Sequence, residues 1–128
     1  MRKMILLFSH KLSEDQIKDA KENYVIDEFI SLPHNLQNIW SNISPDIDSL
    51  KEVLIPIKKF IKTESQLNDV VFIQGDFGAV YSMVNFCQDL RLISIYATTE
   101  RDAVEYKNEE GKMVKKSIFE HRRFREYE

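Results

Sequence analysis

The sequence predicts a layered α/β domain with a mostly parallel sheet and a β-hairpin at its C-terminal end. Three observations predict it. An apolar run without polar alternation stands at Met4 to Phe8, as in a strand covered on both faces, and further strands read at Val70 to Gln74 and Leu92 to Tyr96. Segments of helical periodicity separate these strands. Beyond Thr98-Thr99 the pattern changes to two stretches flanking Glu109-Glu110-Gly111, a turn with Gly available for a left-handed position.

Taken in order, Met4-Ile5-Leu6-Leu7-Phe8 is a short buried strand. Ser13 with Gln16 forms a capping box, and the helix it opens, Glu14 to Asn23, carries acids early and lysines later, as the helix dipole prefers. Glu28 to Leu32 is a second strand, ended by Pro33. Asn35 caps a short helix through Leu36, Ile39 and Trp40. Ser44-Pro45-Asp46 reads as another helix start with Pro at the first position. Leu50, Val53, Leu54, Ile57, Phe60 and Ile61 keep helical spacing, so one helix is expected from Pro45 to Lys62, kinked or broken at Pro56. Val70 to Gln74 is the third strand, Ala79 to Asp89 the next helix and Leu92 to Tyr96 the fourth strand. Val104 to Asn108 and Lys112 to Phe119 form the hairpin, and Phe119 to Tyr127 interleaves aromatic and basic residues.

A chain of 128 residues with 43% hydrophobic and 30% charged content is one domain with a core of its own, spanning 1–128. A net charge of −3 argues against general binding of duplex nucleic acid, while leaving room for a local basic pocket. The single cysteine, Cys87, excludes an internal disulfide and suits a reducing cytoplasm. The apolar run Met4 to Phe8 is too short for a leader, and no stretch is long enough to span a membrane, so a cytoplasmic protein is expected.

In folds of this class, ligands bind outside the carboxyl ends of the strands. That rule singles out Ser9-His10-Lys11, Leu32-Pro33-His34, Gln74 to Gly78 and Ala97 to Arg101. Gly75-x-x-Gly78 lies between a strand and a helix start, where backbone N–H groups and the helix dipole suit a phosphate; Gln74 offers an amide and Asp76 a ribose acceptor. The plainer reading is a tight turn that needs small residues for packing. No Walker A or Gly-x-Gly-x-x-Gly pattern is present. Asp-Phe-Gly at Asp76 to Gly78 lacks the other kinase motifs.

Ser9-His10-Lys11 sets a hydroxyl, an imidazole and an amine at one strand end, all able to contact a phosphodiester, or else forms a polar loop. Thr98, Thr99 and Arg101 match phosphate or ribose recognition, or a capping turn with a surface ion pair. His121, Arg122, Arg123 and Arg125 among Phe119, Phe124 and Tyr127 could hold a nucleotide by charge and stacking, or form the solvated side of a last strand. Strict alternation would put His121, Arg123 and Arg125 on one face and Arg122 and Phe124 on the other. Cys87 and Trp40 read as core, His34 as ordinary, and the histidines and cysteine have no metal-ligand spacing. No cofactor or metal is expected.

Four separated motifs together carry a resemblance: Leu6-Leu7-Phe8-Ser9-His10-Lys11-Leu12, Gln74-Gly75-Asp76-Phe77-Gly78-Ala79, Tyr96-Ala97-Thr98-Thr99-x-Arg101, and Phe119-x-His121-x-Arg123-Phe124-Arg125-x-Tyr127. With these the chain resembles the small Csx-type CRISPR-associated proteins of type III systems. The resemblance implies a compact Rossmann-like three-layer domain of the CRISPR-associated ligand-sensing type, acting as a homodimer. It implies cyclic oligoadenylate, above all cyclic tetra-adenylate, as ligand, and either metal-independent cleavage of that ring or binding alone. Cleavage would use attack of a ribose 2′-hydroxyl on the adjacent phosphorus. Under that reading Ser9, His10, His121 and Arg123 are the catalytic candidates. Lys11, Gln74, Gly75, Asp76, Phe77, Gly78, Thr98, Thr99, Arg101 and Arg122 are the ligand-binding ones. A third possibility is a protein that uses its basic aromatic tail against a protein partner.

Overall fold

The computed structural model describes residues Met1 to Glu128. Along the chain run β1 (Lys3–Leu7), α1 (Glu14–Asn23), β2 (Glu28–Ser31), α2 (His34–Ser41), α3 (Ile55–Glu64), β3 (Val70–Ile73), α4 (Phe77–Asp89), β4 (Ile93–Lys107) and β5 (Met113–Glu126). The five strands form one sheet in the order β2-β1-β3-β4-β5. The first four neighbours in that order are parallel, and β5 returns antiparallel to β4. This is the mostly parallel α/β sheet with a terminal hairpin that the sequence predicts.

Alternation along the strands divides the core in two. Met4, Val70, Phe72, Ile95 and Phe124 face Ala20 of α1. Ile5, Leu7, Val71 and Ile73 face the opposite layer, where α2, α3 and α4 contribute Trp40, Ile57, Ile61 and Met83. The central strands are buried on both faces, which is why their sequences carry no polar alternation. α1 starts as expected, with Ser13 and Gln16 completing the reciprocal cap.

Four local expectations are corrected. The helix expected from Pro45 to Lys62 is confined to Ile55–Glu64, with Pro56 in its first turn, where no intrahelical N–H bond is due and no kink arises. Leu50 and Leu54 reach the core from the preceding turns, so helical spacing continues there without a helix. α2 begins at His34 directly after Pro33, and no side-chain cap from Asn35 is used. α4 begins at Phe77, two residues ahead of the expected Ala79.

At the C-terminal end the short stretches merge. β4 runs unbroken through Thr98 and Thr99, and β5 absorbs the aromatic-basic tail. The turn between them uses Gly111 at φ 78°, and Asn108 Oδ1 accepts the N–H groups of Glu110 and Lys112. Register opposite Thr98 and Thr99 jumps from Arg123 to His121, so Arg122 is the extra residue of a β-bulge. The bulge reverses the alternation, and His121 and Phe124 share the α1 face instead of opposite ones.

Candidate functional site

From β1 the chain goes first to β2 on one side and later to β3 on the other, so the loops after β1 and β3 diverge and leave a crevice between them. On the α1 side of this crest lies a cleft of about 520 Å³, bordered by Phe8, Ser9, His10, Lys11, Phe29 and Gln37. The His10 ring stands edge-on to Phe8, centroids 5.5 Å apart, and is exposed to solvent. α2 supplies what holds the loop. Gln37 Nε2 donates to the Phe8 carbonyl at 3.0 Å and to Ser41 Oγ at 3.0 Å, and Ser41 Oγ donates to Ser9 Oγ at 2.9 Å. Because Ser9 accepts from Ser41, its own O–H makes no hydrogen bond within the chain.

The turn after β3 is anchored from below by Gln74 and Trp40. Gln74 ties the crest together: its N–H donates to the Leu7 carbonyl at 3.0 Å, its Oε1 accepts the Ala97 N–H at 2.6 Å, and its carbonyl accepts Trp40 Nε1–H at 3.0 Å. A Cβ at Gly75 would stand 3.0 Å from Trp40 Nε1, so a side chain here would need the indole beneath it to give by a few tenths of an ångström. Gly78 is less confined, with Leu50 Cδ1 at 3.3 Å from its Cβ position. Asp76 is the N-cap of α4, accepting the Ala79 N–H at 3.0 Å. That uses Oδ2 alone; Asp76 is exposed, and its Oδ1 accepts no hydrogen bond within the chain.

The N–H groups of Gly75, Asp76, Phe77 and Gly78 make no hydrogen bond within the chain, and aromatic rings stand free beside them. Phe77 is 95% exposed, at the first position of α4, and Tyr81 projects one turn later. Beside Phe77 a second cleft of about 290 Å³ opens against Tyr96, Ala97 and Tyr127. Tyr127 donates its hydroxyl to the Ile73 carbonyl at 2.7 Å and packs on Tyr96, and burial pushes its phenol above the ordinary tyrosine range.

The remaining candidates run from Thr98, next after Ala97, along the β4–β5 ribbon and onto the α1–β5 seam. Thr98 Oγ1 donates to the Arg123 carbonyl at 2.8 Å and accepts the Arg123 N–H at 3.3 Å, holding the strands at the bulge. Arg101 bonds Ser117 Oγ and covers the Phe119 ring on the exposed ribbon. Arg122 pairs with Glu100 at 3.1 Å. His121 is buried between α1 and β5, its Nε2 2.8 Å from Asp19 Oδ2. Arg123 donates Nε–H to the Phe124 carbonyl and borders a groove on that same α1–β5 seam. His10 and His121 end a row of rings, His10–Phe8–Phe72–Phe124–His121, with neighbouring centroids 4.6–5.5 Å apart. The structure therefore brings Ser9, His10 and Lys11 together and separates them from His121 and Arg123. Cys87 is buried in the α4 core, and burial pushes its thiol up to about 12 against the weaker effect of Ser94.

Sequence reasoning missed Gln37 and Ser41, and gave Tyr96, part of a motif, no role of its own. The i, i+4 spacing of Gln37 and Ser41 on one helix is the signal that would have found the first two. Together the crest offers a hydroxyl donor, an imidazole and an ammonium group at one cleft, and an exposed aromatic ring beside the next. No helix is long and apolar enough to cross a membrane.

No solved structure matches the chain. It is 55% identical over 128 residues to Uncharacterized protein MJ1673 of Methanocaldococcus jannaschii, covering 99% of this chain and 98% of that protein. The family model described as Uncharacterized protein MJ1673 family matches residues 2–125, and the chain belongs to that family.

Proposed function

We propose that this protein binds cyclic oligoadenylate, cyclic tetra-adenylate foremost, at its strand crest and opens the ring without a metal. The observation that carries the reading is the common opening of Ser9, His10 and Lys11 onto the cleft at the end of β1, between α1 and β2. A ring of adenosine phosphodiesters needs cations, hydrogen-bond donors and stacking surfaces. Lys11 and Ser9 meet the phosphate requirement, and Phe77 offers a face for a base. In ring opening, a ribose 2′-oxygen forms a bond to the adjacent phosphorus as the bond to the 5′-oxygen breaks, giving a 2′,3′-cyclic phosphate. His10 moves the proton, and Ser9 and Lys11 stabilise the phosphoryl oxygens. Such a role in type III CRISPR signalling belongs to the cytoplasm.

A second reading, sequestration without cleavage, is favoured by one observation. His121 and Arg123 are committed to the α1–β5 seam, which leaves His10 as the single imidazole bordering the cleft. Incubation with labelled cyclic tri-, tetra- and hexa-adenylate in EDTA, followed by chromatography, separates the outcomes. Linear product ending in a 2′,3′-cyclic phosphate is expected. Stoichiometric binding of an intact ring would favour sequestration, and no binding of any ring would overturn both.

A further inference from the structure

β5 is an edge strand, and the chain closes one half of that edge while leaving the other open. Beside α1, the Phe124 N–H donates to the Asp19 carboxylate at 3.1 Å, and the Phe124 carbonyl accepts Arg123 Nε–H at 3.2 Å. The half ahead of the bulge, Met113 to Glu120, has no such caps. The Asn108 N–H donates to the Lys112 carbonyl at 2.9 Å, which fixes the pairs of the ladder that are hydrogen-bonded. By that alternation the backbone groups of Met113, Lys115, Ser117 and Phe119 point away from β4. Tyr106, Met113, Ile118 and Phe119 are exposed on the same ribbon. A two-stranded ribbon of this kind is marginal in water, and its open edge is a template for another strand.

We propose that this open half-edge receives a strand from another protein, an extended segment with alternate apolar residues and a lysine or arginine that meets Glu120. Charge complementarity selects that occupant. Glu100, Asp102 and Glu120 are exposed on one face of the ribbon with carboxylate oxygens within 4.8 Å of one another, and Glu100 stands directly opposite Glu120. Like charges so placed repel, and Arg122 offsets only part of the cluster through its 3.1 Å contact with Glu100. Glu120 lies on the edge strand, so its outer flank is where a further cation fits. Toward the hairpin turn the same face carries Ile118, Val104, Val114 and Tyr106. A strand laid along β5 therefore meets an acid at one end and apolar side chains beyond it. Main-chain bonds to the four outward residues supply affinity, and the side chains supply selectivity. The recognising group is acidic and lies ahead of the bulge, which sets this surface apart from the basic tail. The proposal does not rest on the ligand reading.

Amide hydrogen exchange on the intact protein tests the edge first. The N–H groups of Met113, Lys115, Ser117 and Phe119 should exchange fast, while that of Phe124, held by Asp19, is slowed. Protection of those four in the protein alone, or protection that grows with protein concentration, would mean the edge is filled by the chain or by a second copy, and would overturn the proposal. The probe is the capped peptide Lys-Thr-Val-Thr-Glu-Thr-Val. Laid antiparallel, it sets Lys against Glu120, Val against Ile118, Glu against Lys116 and Val against Val114. It should slow exchange at the four outward amides. Replacing its Lys by Glu should weaken binding roughly tenfold, and E120K should invert the preference between the two peptides. E120K removes a like charge from beside Glu100, so the variant should melt no lower than the native protein. Equal binding of the two peptides, or protection by neither, would overturn the proposal.

Discussion

The carboxylate of Asp19 on α1 receives the Nε2–H of His121 on β5 at 2.8 Å, joining the first helix to the last strand across 102 residues. The same carboxylate takes the Asn23 amide at 2.7 Å and the Phe124 N–H at 3.1 Å, so three donors converge on it. Desolvation pushes the acid up, but the Asn23, His121 and Phe124 hydrogen bonds outweigh it and hold the group below the ordinary aspartate range. Its contribution to stability is therefore complete above about pH 4, the unfolded range, and is lost as pH falls through the lower folded value. Asp19→Asn should cost about 1–3 kcal/mol at neutral pH and flatten the acid limb of a urea-stability profile between pH 7 and 3. An unchanged acid limb would mean that other carboxylates carry it.

Gly75→Ala should destabilise through one contact. The new Cβ would lie 3.0 Å from Trp40 Nε1 and 3.1 Å from Trp40 Cε2, and the indole is enclosed by the α2–α3–α4 core. Overpacking of this kind costs about 1–3 kcal/mol, and moving the ring would lengthen its bond to the Gln74 carbonyl. Trp40 is the single tryptophan, so its emission reports the displacement directly alongside a urea titration.

Pro56→Ala separates a first-turn proline from a kinking one. With Pro56 in the opening turn of α3, alanine restores no buried hydrogen bond and only frees the unfolded chain, a loss of about 0.4–1 kcal/mol. A proline within a continuous helix would instead be relieved by about 3 kcal/mol. The sign of the change in denaturant midpoint distinguishes the two.

That case also marks where the sequence stops being legible. The parallel strands could be read because burial on both faces writes an unbroken apolar run, as in Val70–Ile73, and α1 because Ser13 and Gln16 are a local cap. The false helix before Ile55 arose because Leu50 and Leu54 serve the core from turns that happen to keep its spacing. The bulge at Arg122 was invisible for a related reason: one added residue inverts every later assignment of face, and nothing in the local composition marks it. At the crest, Ser9, His10 and Lys11 were found by strand-end logic alone. The role of Gly75 depends on Trp40, distant in sequence, and that of His121 on Asp19, so neither could be read from its own motif.

Ser41 gives the strictest test of the crest. It reaches the cleft through two residues, donating to the Ser9 hydroxyl at 2.9 Å and accepting Gln37 Nε2–H at 3.0 Å, so it acts as a positioning residue. Ser41→Ala frees Ser9 to rotate and should weaken cyclic tetra-adenylate binding by about threefold to tenfold, the worth of one hydrogen bond, at an unchanged melting temperature. His10→Ala should leave affinity within a few-fold and slow ring opening by at least about a hundredfold. If Ser41 works through Ser9, the double variant Ser9→Ala/Ser41→Ala should bind no more weakly than Ser9→Ala alone, because the second change removes a support already lost. Additive losses measured by calorimetry would instead give Ser41 a route to the ring other than Ser9.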